Sequence, residues 1–115
     1  MPDWALHGRP TIDELIEAVR GFLVDEVMPA SEGQLRFHAR VAANALAIVA
    51  RELELGAAQA QEHARALARL GVGSEAELAA AIRSGVLDDR MDEVVETVRA
   101  TVRARLDVAN PDYVR

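Results

Sequence analysis

Apolar residues recur at helical spacing along nearly the whole chain, and no stretch alternates with the period of two that a half-buried strand requires. At 100° per residue Ile12, Leu15, Ile16, Val19, Phe22, Leu23 and Val27 gather on one face. Thr11 serves as N-cap and Glu14, three residues on, completes a capping box. Pro29 closes the segment, so the first helix is expected over about 12–28. The next segment, about 34–55, is stopped by Gly56 and carries two apolar stripes, Leu35/Leu46/Val49/Leu53 and Phe37/Val41/Ile48/Leu55. Only a narrow polar wedge of Arg36, Arg40, Asn44 and Arg51 stands between them and solvent. A helix apolar on two sides packs between neighbours, which makes this the expected centre of the fold.

A third helix is expected from Ala57 to Leu70, ended by Gly71, with Ala60, Ala64, Leu67 and Leu70 on its apolar face. Ser74 and Glu77 form a second capping box that opens a short helix ending near Ser84 and Gly85. Asp88 or Asp89 is expected to cap the last helix, which runs to about Leu106 with Met91, Val94, Val95, Val98, Val102 and Leu106 on one face. The tail, 107–115, is expected either to be flexible or to dock through Tyr113 and Val114. The pattern predicts an all-α fold: a single domain, 1–115, of four to five helices around a central helix at about 34–55.

Composition narrows the classes. The chain has 115 residues, half of them hydrophobic but only 3% aromatic, and 22 are Ala, so its helices are thin and can approach closely. It has no Cys, hence no disulfide framework and no thiolate metal site, and the cytoplasm is the expected compartment. No stretch approaches the ~20 apolar residues that span a bilayer, and Met1 to Arg9 lacks the features of a secretory leader. Net charge is −6, divided as −4 over 1–30, +1 over 31–69 and −3 over 70–115, which argues against nucleic-acid binding. All 13 basic residues are Arg, which removes lysine Schiff-base and general-base chemistry.

No motif carries catalysis or a cofactor. The three His, at 7, 38 and 63, lack the His-x-x-x-His or Glu-x-x-His spacing of a metal site. Gly71-x-Gly73 matches neither phosphate-loop nor dinucleotide pattern, and Ser31, Ser74 and Ser84 sit where helix capping explains them. His63 is expected in the core or at an interface. One polar cluster stands out: Glu26, Arg36, His38, Arg40 and Asn44. Glu26 falls inside the apolar stripe of the first helix and is expected to point to the core, where a hairpin through 29–33 would bring it to His38. Such a pair is either a general acid/base element or a structural pair. The structural reading is favoured, since a buried charge demands a partner and no third catalytic group is evident. The arginine wedge is expected to hold acidic neighbours such as Glu17 or Glu93, or else to bind an anion or a partner protein.

The run Leu35-Arg36-Phe37-His38-Ala39-Arg40-Val41-Ala42-Ala43-Asn44-Ala45-Leu46 follows Phe22-Leu23-x-x-Glu26-Val27-x-Pro29 and an opening Arg9-Pro10-Thr11. Together they resemble a bacterial domain family of unknown function, often encoded beside aminoglycoside-phosphotransferase-like kinases and acyl-CoA dehydrogenases. The resemblance covers roughly 9–106, is densest over 22–55 and includes Glu26, Arg36, His38, Arg40 and Asn44. It implies an accessory subunit, not itself an enzyme, beside a phosphotransferase-like kinase or an acyl-CoA dehydrogenase in acyl-group metabolism. Two other readings stand beside it. One is a small ligand-binding or auxiliary domain using the Glu/His/Arg cluster; the other is a homodimer built on the Ala-rich faces of the third and fourth helices.

Overall fold

The first helix, α1 (Ile12–Phe22), begins as its capping residues dictate. The Thr11 hydroxyl accepts from the Glu14 N–H at 3.2 Å, and the Glu14 carboxylate accepts from the Thr11 N–H at 3.1 Å. A computed structural model describes residues 8–114, without the side chain of Val114. Among the described residues it contains four α-helices, α1, α2 (Gly33–Arg69), α3 (Glu75–Ser84) and α4 (Met91–Ala109), and no strand. The chain is therefore all-α, as its apolar period requires. It divides into two compact units, Met1–Glu52 and Leu53–Arg115.

In the first unit α1 does not continue as an α-helix to residue 28. Leu23–Val27 form a π-helical turn, in which the Met28 N–H reaches five residues back to the Leu23 carbonyl at 2.9 Å. The Ser31 hydroxyl donates to the Val27 carbonyl at 2.6 Å and helps close the turn that leads to α2. Between Gly8 and Glu52 only Ala39 and Ala43 are buried. Ile12, Ile16, Leu23 and Val27 are half-buried, whereas Leu15, Val19 and Phe22 of the same expected stripe are exposed.

Gly56 was expected to end the second helix, yet α2 runs unbroken for 37 residues and absorbs the expected third helix. A glycine stops a helix when it takes up the left-handed conformation; inside one it costs only about 1 kcal/mol, which neighbours such as Leu55, Ala57 and Ala58 offset. Gly56 is not among the glycines with positive φ, but Gly71 is, at +78°. There the Val72 N–H bonds to the Leu67 carbonyl (3.1 Å) and the Gly71 N–H to the Ala68 carbonyl (2.9 Å), a Schellman closure that ends α2.

The second unit holds the apolar core. Leu67 and Leu70 of α2, Leu78 of α3, Leu87, and Val94 of α4 are all buried together, with Val72, Ala81 and Ile82 packed against them. The core thus lies C-terminal to 34–55, the segment expected at the centre. α3 forms one half of its expected capping box: the Ser74 hydroxyl accepts from the Glu77 N–H, but the Glu77 carboxylate accepts from the Gly73 N–H and not from that of Ser74; Gly85, at φ +82°, forms the C-cap. Neither Asp88 nor Asp89 caps α4. Asp88–Arg90 form a 3-10 turn, Arg90 occupies the cap position without a side-chain capping bond, and its guanidinium instead donates to the Arg69 carbonyl at 2.8 Å. That bond satisfies a carbonyl left over at the C-terminus of α2. α4 extends to Ala109, past the expected Leu106, and a 3-10 turn, Pro111–Val114, follows with Tyr113 exposed; the side chain of Val114 lies outside the description.

Candidate functional site

The five residues of the expected polar cluster are all exposed: Glu26 in the π turn, and Arg36, His38, Arg40 and Asn44 on α2. Glu26 does not point into a core. A π turn advances about 80° per residue where an α-helix advances about 100°, so residues beyond Leu23 rotate progressively away from the stripe that an α-helical wheel assigns them. None of the five side chains makes a hydrogen bond or ion pair with another described residue, so Glu26 and His38 are not joined. The His38 ring instead lies edge-on to Phe37, with centroids 5.8 Å apart. The acids expected to serve the arginines are engaged elsewhere: Glu17 pairs with Arg20 at 3.1 Å, and Glu93 with Arg90. Arg36, Arg40 and Asn44, four residues apart in turn, form a polar row along α2.

Large apolar side chains on α1 and at the start of α2 also lie without cover. Leu15, Val19 and Phe22 on α1 and Leu35 and Phe37 on α2 are between 52% and 62% exposed. On α1 they follow the spacing of a single helical face.

A second group of polar side chains meets in the second unit. His63 Nδ1 lies 3.2 Å from the Thr101 hydroxyl, which donates to the Thr97 carbonyl, and His63 Nε2 lies 3.6 Å from Glu75. The Arg105 guanidinium reaches both oxygens of that same carboxylate, at 2.6 and 2.7 Å. With Leu78, Val98 and Val102 these residues line an open cleft of about 210 Å³. Glu75 holds its place because the Ser74 cap fixes the start of α3, and His63, Thr101 and Arg105 face it from α2 and α4. Gln59, one turn before His63, donates to the Ala104 carbonyl at 3.1 Å and ties the same two helices. The sequence signal was faint: two polar residues, Gln59 and His63, on a face otherwise built of Ala and Leu, and a Thr among the valines of α4.

Among the described residues no three His, Asp or Glu side chains are grouped to hold a metal ion. The largest shift in acidity among the described residues belongs to Glu14, held down at about 2 by the Arg9 guanidinium and then by the Thr11 N–H, in a helix cap. A model of the family described as a domain of unknown function (DUF6285) matches residues 29–113. The chain belongs to this family. The DUF6285 match takes in α2, α3 and α4, and so the Arg36/Arg40/Asn44 row, His38 and the His63 cleft, while α1 and Glu26 precede it. No curated protein and no solved structure shows significant similarity to the chain. No described helix is long and apolar enough to cross a membrane.

Proposed function

We propose that this chain is a non-enzymatic, cytoplasmic accessory module that docks onto a partner protein through α1 and the adjoining end of α2. The observation that carries the reading is the imbalance of burial: from Gly8 to Glu52 two alanines are buried, while Leu15, Val19, Phe22, Leu35 and Phe37 stay more than half exposed. Covering a half-exposed side chain of this size gains about 1 kcal/mol, so five contribute roughly 5 kcal/mol, near the low end of what association costs. Apolar contact alone is therefore insufficient, and the row of Arg36, Arg40 and Asn44 supplies the polar rim by meeting carboxylates of the partner. The resemblance described above favours a phosphotransferase-like kinase of acyl-group metabolism as that partner, ahead of an acyl-CoA dehydrogenase.

Co-expression of the full chain with a phosphotransferase-like kinase, the proposed partner, tests this directly. The kinase is expected to co-purify, and the pair Leu15→Asp/Phe22→Asp should lower the yield of complex at least about tenfold while leaving the circular dichroism spectrum unchanged. A kinase that neither co-purifies nor changes in activity would contradict the proposal.

One observation favours a second reading, a small ligand-binding domain: the cleft lined by His63, Glu75, Thr101 and Arg105. At about 210 Å³ it is smaller than the pockets that enclose drug-sized ligands, and it would take no more than a short acyl or alkyl group. Arg105 is already engaged by Glu75, so an anionic head group would have to displace a carboxylate. For that reason the docking reading is preferred.

A further inference from the structure

We infer that the outward face of α2 from His38 to Glu52 is a self-association surface, covered by a second copy of this chain lying antiparallel about a two-fold axis at Ala45. This face continues the stripes of Leu35 and Phe37 toward Glu52 but includes neither of them, nor Arg36, Arg40 or Asn44, and the inference does not rest on the kinase reading. His38, Ala45 and Glu52 are seven residues apart and share a line along the helix; Val41 and Ile48 flank it on one side, Ala42 and Val49 on the other. All seven are exposed, including Val41 at 48%, Val49 at 45% and Ile48 at 37%. Neither His38 nor Glu52 makes a hydrogen bond or ion pair with another described residue.

The arrangement complements itself. An isologous contact requires that each half of a surface fit the other half, whereas a contact with an unrelated protein imposes no such relation. Turned about Ala45, the face sets His38 against Glu52 of the second copy at both ends, an imidazole donor against a carboxylate. On one flank Val41 meets Ile48 of the second copy, and on the other Ala42 meets Val49, a small residue against a larger one. Ala45 meets its own counterpart at the axis, where the smallest side chain lets the helices approach to about 8 Å. A parallel pairing would set Glu52 against Glu52, so charge selects the antiparallel one. The face is short beside the roughly 800 Å² per partner of a standard complex, so the dimer should be of moderate affinity, forming over the micromolar range.

Sedimentation equilibrium of the full chain, at loadings from about 1 to about 500 μM, reads the association. The wild-type mass should rise from 12.5 kDa toward twice that value. Ala45→Glu, an exposed position taking a good helix former, should remain at 12.5 kDa with an unchanged circular dichroism spectrum. His38→Glu should weaken association at least about tenfold, and the swap His38→Glu/Glu52→His should restore it, because only the antiparallel register opposes these two positions. A monomeric wild type at every loading, an Ala45→Glu variant that dimerises as the wild type does, or a swap that fails to restore association would each overturn the inference. Ala45→Glu should still capture the kinase. If the wild type is monomeric and Ala45→Glu abolishes that capture, the face belongs to the kinase and the self-association inference falls while the accessory reading stands.

Discussion

Glu14 accepts from the Arg9 guanidinium and from the Thr11 N–H, and both favour its ionised form. Its acidity constant is held down at about 2 from 4.5, so its contribution to the start of α1 is present above 4.5 and is lost as pH falls toward 2. An acid titration followed by amide exchange at Leu15 and Ile16 should show the first turn of α1 opening across that window. Glu14→Gln should flatten the dependence; an opening that follows the same curve in the variant would contradict it. This cap was legible because a capping box needs only residues three apart. The group of His63, Glu75, Thr101 and Arg105 was not, since three separate helices contribute it and no spacing along the chain records their meeting. Glu26 was misread for another reason: the wheel that aimed it at a core assumed α-helical geometry across residues that form a π turn.

At the scale of elements, glycines mark where the sequence was read well and where it was not. Gly85 and Gly71 end their helices with positive φ, as expected, but Gly56 sits inside α2. The residue type permits a stop without requiring one, and the choice rests on the neighbours. Gly85→Ala should cost about 1 kcal/mol or more, because φ is +82° and a Cβ would lie 3.1 Å from the Asp88 carboxylate. Gly21→Ala, in the interior of α1 with only the Asp25 carboxylate 3.8 Å away, should instead gain roughly 0.5–1 kcal/mol. Urea unfolding of the two variants beside the wild type checks both signs. Equal effects would mean that backbone conformation does not govern these positions.

For the molecule as a whole, the helical class and most helix starts were legible, while the site of burial was not. Both halves carry apolar residues at helical spacing. Periodicity assigns them to faces but does not say which faces find cover within the chain. Leu67, Leu70, Leu78, Leu87 and Val94 converge in the second unit, whereas the stripes of α1 and of α2 before Leu53 stay open. That imbalance is why the first unit is read as the docking surface. Hydrogen–deuterium exchange of the full chain, alone and with a phosphotransferase-like kinase as the proposed partner, tests this most directly. Added protection is expected in α1 and at the N-terminal end of α2, with none in α3 or α4. Protection confined to α3 and α4 around His63, Glu75 and Arg105, or no change at all, would contradict it.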